Sequence, residues 1–159
     1  MPSTNKSRRK FIKNSALASS LFIVPRHVLG GTGYTPPSDR LNLAGIGLHG
    51  KGNSDIAHAS VGGRENIVAL CYIQQNEYGA QVAAEKFPNA KCYTDYREML
   101  DKENLDGVTI STPDHTHANI TKVAMEKGVH VYVQKPLTHN VKEARILTEL
   151  ARKNKIVTQ

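Results

Sequence analysis

From Leu41 onward, short apolar runs of strand length alternate with longer stretches whose apolar residues recur at helical spacing. The runs predict strands over 41–46, 67–72, 91–94, 107–111, 130–133 and 155–158, and the spacing between them predicts helices over 50–61, 76–87, 95–100, 115–127 and 140–153. Local signals set several ends. Ala80, Ala83 and Phe87 share a face before Pro88, whose ring and missing N–H bar continuation. Asp95 caps the next helix, with Glu98 at the reciprocal position of a capping box. Ile120, Val123 and Ala124 line a face that ends at Gly128, a residue suited to the left-handed turn after a helix. Val141, Ala144, Leu147 and Ala151 form the apolar face of the last helix. Strands alternating with helices in this way predict an α/β fold, a doubly wound parallel sheet covered on both faces, in a single domain.

The first strand runs directly into Gly45-Ile-Gly47-Leu-His-Gly50. A glycine turn between a strand and a helix clears side chains from the helix's positive end, so that backbone N–H groups reach a pyrophosphate. Residues 41–72 have the length of a dinucleotide-binding βαβ fingerprint. The pattern therefore predicts a Rossmann domain with NAD or NADP as cofactor. Gly45, Gly47 and Gly50 shape the turn, the third letting helix pack on strand, and Leu48 and His49 contribute backbone. Ligands in such sheets lie beyond the carboxyl ends of the strands. Two further polar loops belong there: Ser111-Thr-Pro-Asp-His-Thr-His117 after the fourth strand and Gln134-Lys-Pro136 after the fifth.

The net charge of +7 suggests a nucleic-acid partner, but Lys6, Arg8, Arg9, Lys10, Lys13 and Arg26 all lie in the first thirty residues, which hold no acid. The remainder carries 15 basic against 14 acidic residues, so no nucleic-acid footprint is expected of the folded part. Residues 1–30 place a paired-arginine segment before an apolar stretch, the build of a twin-arginine export signal. That predicts the twin-arginine export machinery as a partner and a periplasmic or cell-envelope location. Residues 31–39 read as a linker and 40–159 as the nucleotide-binding domain. Cys71 and Cys92 are read as small core fillers, and with no CxxC or HExxH pattern no metal site is expected.

The glycine turn, the Ser111-to-His117 segment and the Lys135-Pro136 pair together resemble the Gfo/Idh/MocA oxidoreductases over about residues 40–159. The resemblance implies that Gly45, Gly47, Leu48, His49 and Gly50 hold the pyrophosphate, and that Thr112, Pro113 and His117 shape the ribose and nicotinamide side. It also implies that Lys135 is the catalytic residue, reaching the nicotinamide and the reacting substrate oxygen. A cation there stabilises the negative charge that develops on a carbinol oxygen. Three features depart from the family pattern. Tyr72 stands where an acid would bind the adenosine ribose, with no Arg or Lys beside it for a 2′-phosphate, so both NAD and NADP stay open and Tyr72 is assigned to stacking on adenine. Gln134 replaces the glutamate before the lysine, turning an ion pair into a neutral hydrogen bond. The given sequence reaches Gln159, where the family pattern continues into a second, α+β domain, which is expected to be missing. The expectation is the dinucleotide-binding domain of an exported sugar or cyclitol oxidoreductase, monomeric and incomplete as a catalyst until a second domain supplies the pocket for a sugar-like substrate. A non-catalytic Rossmann binding module and a fragment of an NAD-dependent glycosidase are the alternatives.

Overall fold

The computed structural model describes residue 31, residues 35–72 and residues 78–159. The chain divides into two units, Met1–Ser38 and Asp39–Gln159, and the sheet belongs to the second. The expected export signal of residues 1–30, residues 32–34 of the linker and the expected helix start at Asn76 lie outside the described residues.

Five strands, β1 (Asn42–Ile46), β2 (Asn66–Cys71), β3 (Lys91–Tyr93), β4 (Gly107–Ile110) and β5 (His130–Val133), pair in parallel in the order β3-β2-β1-β4-β5. Helices α1 (Lys51–Ala59), α2 (Tyr78–Lys86), α3 (Tyr96–Lys102), α4 (His117–Glu126) and α5 (Val141–Asn154) connect or follow them. The winding direction reverses between β1 and β4, which makes the carboxyl ends of those two strands the switch point where open α/β sheets hold ligands. The expected sixth strand contracts to one parallel bridge, Val131 with Thr158. Lys155 takes the left-handed conformation (φ 56°) that closes α5, so pairing begins only at Val157, whose carbonyl accepts from Val131 N at 3.1 Å.

Both faces of the sheet are covered. Ala44, Ile46, Val108, Ile110 and Val131 pack against Ile120, Ala124 and Met125 of α4 and Leu147 of α5. On the other face Leu48 and Ile56 pack with Ile67, Leu70 and Ala83. Ile56 and Leu70 are fully enclosed, each worth about 2 kcal/mol of burial. Every residue of β4 is buried, as expected of a central strand of a parallel sheet covered on both faces, and Thr109 is its one polar side chain. Two core assignments are corrected. Cys92 is exposed, because its three-residue strand is the sheet edge. Val141 is 68% exposed, because it occupies the first turn of α5, whose burial is centred on Leu147.

The capping signals also redistribute. Asp95 Oδ1 accepts from Arg97 N at 2.8 Å, but Glu98 turns to Lys102 Nζ at 2.6 Å instead of reaching back. The reciprocal box sits at α5, where Asn140 Oδ1 accepts from Glu143 N at 3.0 Å and Glu143 Oε2 from Asn140 N at 3.3 Å.

The turn from β1 to α1 is the tightest place in the fold. A Cβ at Gly45 would meet Leu48 Cδ2 at 2.9 Å, and one at Gly47 (φ 80°) would stand 2.6 Å from the Ser111 carbonyl oxygen. Gly52, the second residue of α1, lies closer still: its Cβ would fall 1.9 Å from Gly47 O. Gly50 has open space around it and is required only by its backbone, φ 54° and ψ −111°. The close helix-to-strand contact expected of Gly50 therefore belongs to Gly52. Gly52→Ala should lower stability by more than about 3 kcal/mol, because no neighbour that it meets is a flexible side-chain end. Gly50→Ala should cost about 1–3 kcal/mol of backbone strain. Urea midpoints of the two variants measure the difference, and equal costs would show that α1 can slide off the turn.

Candidate cofactor-binding site

The first-turn N–H groups of α1 face the switch point without a side-chain cap, and no acid occupies that first turn. Gly52 N donates to His49 O at 3.1 Å, and the positive end of the helix dipole makes this end suited to an anion. The turn that leads into it is fixed on both flanks. Gly47 N donates to Cys71 O at 3.0 Å beside β2, and Ser111 N donates to Ile46 O at 2.9 Å beside β4. Gly47 is half-buried and Gly50 exposed. Leu48 is buried in the α1-side core, so only its backbone is available to a ligand, whereas the His49 side chain is exposed.

Tyr72 follows β2 and is tied through its N–H to Tyr93 O at 3.0 Å. Its phenol is pushed up to about 12 by hydrogen bonding with the Cys92 thiol, by burial and by the nearby thiols, so it stays a neutral hydroxyl at physiological pH. Burial likewise pushes the Cys71 thiol up to about 12 and leaves it inert.

The loops after β4 and β5 are joined by His117. Its imidazole is 1% exposed, with Nδ1 2.7 Å from Pro136 O and Nε2 2.7 Å from Thr112 O. Each ring nitrogen faces a carbonyl oxygen, one from the loop after β5 and one from the loop after β4. The ring thus serves as a clamp and has no spare polar atom for a cofactor. Thr112 itself accepts from Thr116 Oγ1 at 2.7 Å, while Pro113 and His115 are exposed on the outer side of the loop. The helix expected from His115 begins at His117, because Asp114–Thr116 form a 3-10 turn.

Sequence reasoning missed Asp55, buried in the second turn of α1. Its Oδ2 accepts from Ser111 Oγ at 2.7 Å and from Gln134 Nε2 at 2.8 Å, and its Oδ1 pairs with Lys51 Nζ at 2.8 Å. Burial pushes its carboxyl up, but the bonds from Lys51, Ser111 and Gln134 outweigh that and hold it below the usual carboxylate range. The same bond raises the Lys51 ammonium. Gln134 therefore makes a charge-assisted bond to α1, not the neutral bond beside Lys135 that its position suggested. The available signal was that Asp55 is the only acid between Arg40 and Arg64. Lys135 is exposed between Gln134 and Pro136, and among the described residues no hydrogen bond or ion pair engages its ammonium. No cluster of three or more His, Cys, Asp or Glu suited to a metal occurs among the described residues.

The direction of the Asp55 shift fixes a pH dependence. A carboxyl lowered by folding contributes stability above its unfolded value, and that stability is lost as pH falls through the folded value. Stability should therefore drop below about pH 4. Asp55→Asn should flatten this part of the profile and cost on the order of 1–3 kcal/mol at neutral pH. Thermal midpoints across the acid range test both, and an unchanged acid limb would show that Asp55 does not carry it.

Residues 41–159 match the Gfo/Idh/MocA oxidoreductase family, NAD-binding Rossmann fold. A D-glucoside 3-dehydrogenase of Escherichia coli is 34% identical over 103 residues, covering 63% of this chain and 29% of that protein. The crystal structure of myo-inositol 2-dehydrogenase from Lactobacillus plantarum superposes with a TM-score of 0.68 at 27% identity, over 76% of this chain and 35% of that one. GenD2 from gentamicin A biosynthesis, in complex with NAD, gives a TM-score of 0.68 at 25% identity over 86% of this chain and 36% of that one. The chain thus spans about a third of the length of these relatives. With its glycine turn, its β3-β2-β1-β4-β5 sheet and this match across the whole second unit, the chain belongs to the Gfo/Idh/MocA oxidoreductase family and carries its NAD-binding Rossmann fold.

Proposed function

We propose that this chain is the cofactor-holding part of an exported dehydrogenase of sugars or cyclitols. The observation that carries the reading is the uncapped N-terminus of α1 behind Gly47 and Gly50, placed at the reversal between β1 and β4. The residues present fit a dinucleotide. Backbone N–H groups at 48–51 would hold the pyrophosphate, Tyr72 at the end of β2 would take the adenosine, and Thr112 and Pro113 would border the nicotinamide. When bound, the nicotinamide supplies the hydride acceptor. Lys135 would present a cation to the substrate hydroxyl oxygen, stabilising its negative charge as the hydride passes to the nicotinamide and the hydroxyl proton to an acid/base residue assigned to the further length that the relatives possess. The substrate side of the pocket is assigned to the further length that the relatives possess. Substrates of the sugar or cyclitol class are supported by the relatives' own activities, on D-glucosides and on myo-inositol. Export is supported by the basic leader and its apolar run.

NADH fluorescence titration tests the cofactor reading directly. Binding at micromolar to millimolar concentration is expected, and Gly50→Ala should weaken it about tenfold by placing a methyl at the mouth of the phosphate turn. No binding of NADH or NADPH at millimolar concentration would overturn the reading. For export, Arg8→Lys with Arg9→Lys in the full chain should leave the protein in the cytoplasmic fraction, and unchanged fractionation would reject the twin-arginine route.

A further inference from the structure

Residues 134–136 are fastened at both ends and free in the middle. Gln134 Nε2 donates to Asp55 Oδ2 at 2.8 Å, and Pro136 O lies 2.7 Å from His117 Nδ1, while Lys135 between them is exposed. Asp55 belongs to another element, 79 positions earlier, and its carboxylate is buried. The groups that face it are Lys51 on its own helix, Ser111 at the end of β4 and Gln134 at the end of β5. A buried carboxylate needs donors on every side, so residue 134 must donate. An amide does so; a second carboxylate at this distance would force one of the two to take up a proton.

We infer that Asp55 is a positioning residue for Lys135: through its bond to Gln134 it fixes the backbone from which the Lys135 ammonium is directed into the cofactor cleft. The inference deepens the proposed function and rests on the role assigned there to Lys135. It couples the identity of residue 55 to that of residue 134, so that an amide and a carboxylate are interchangeable as a pair and not singly. Geometry at a reacting centre is sensitive to shifts well under 1 Å, so a tether on the preceding residue acts on orientation.

The experiment compares the full chain with Asp55→Asn, Gln134→Glu, Gln134→Ala and the exchanged double variant Asp55→Asn/Gln134→Glu. Two readouts are taken from each. One is the NMR signal of the ¹³C-methylated Lys135 amine, assigned by its loss in Lys135→Arg; the other is the Kd for NADH across pH. In Gln134→Glu, the Lys135 signal should move at alkaline pH and return as acid restores a donor between the carboxyls, and the NADH Kd should rise roughly tenfold and follow the same profile. Gln134→Ala, which removes the donor without adding charge, should move the signal at every pH. The double variant should restore the signal and bring Kd to within about threefold of the parent. A Lys135 signal unmoved in the single variants, or a double variant showing the summed defects of its parents, would overturn the inference. If NADH binds to none of these chains, the cofactor reading falls by itself, while the Lys135 signal still decides whether Asp55 directs it.

Discussion

The structure depends on one contact without room for a methyl group, the passage of Gly52 beneath the carbonyl of Gly47. Because a Cβ there would overlap that oxygen, α1 sits on the end of β1 with backbone against backbone. The same approach brings Ser111 and Thr112 of the β4 end against Gly47. The first-turn N–H groups of α1 therefore stand at the reversal of the sheet, where β1 and β4 part. Leu48 and Ile56 lock the helix from below by filling the space that Gly45 leaves on the strand. Everything that makes this edge suitable for a pyrophosphate follows from that packing.

Close packing explains position but not the polar order above it, which is set by two buried polar side chains, Asp55 and His117. Asp55 draws donors from α1, β4 and β5, and its net depressed pKa shows that those bonds outweigh the cost of burial. His117 gathers two carbonyl oxygens from the loops after β4 and β5. Both loops would otherwise be free to move independently, since no backbone ladder extends beyond Gln134 N to Ile110 O at 2.9 Å. The pair of clamps substitutes side-chain bonds for the sheet where the sheet stops.

The fold was legible in the sequence because strand and helix periodicities differ and each element carried its own boundary residue. All five strands and five helices fall where the pattern placed them, within a few residues. The misses share a physical origin in pairwise contacts that local pattern does not encode. Glu98 and Glu143 look equivalent three residues after a capping residue, yet Glu98 has Lys102 within reach and Glu143 meets the free N–H groups of His139 and Asn140. Gly50 and Gly52 are both compatible with a tight turn, and only the approach of Gly47 O separates strain relief from close packing. Val141 has helical spacing but lies in the exposed first turn of α5. Asp55 was invisible for a stronger reason: its partners Ser111 and Gln134 are 56 and 79 residues away, and an isolated acid on a helix ordinarily signifies a solvated face.

The role proposed for Lys135 gives such long-range ties a purpose. An exposed lysine has several soft torsions, and fixing its backbone is the only constraint that costs the ammonium none of its freedom to meet an oxygen. Tying the ammonium itself to a carboxylate would also orient it, but the ion pair would compete with the charge it is there to stabilise. Here the negative charge is buried on α1 and already balanced by Lys51, Ser111 and Gln134. It acts on the neighbouring amide and leaves the cation uncommitted. A glutamine before the lysine, which looks in isolation like the loss of an ion pair, here donates to Asp55 and leaves the Lys135 ammonium without an ion partner among the described residues.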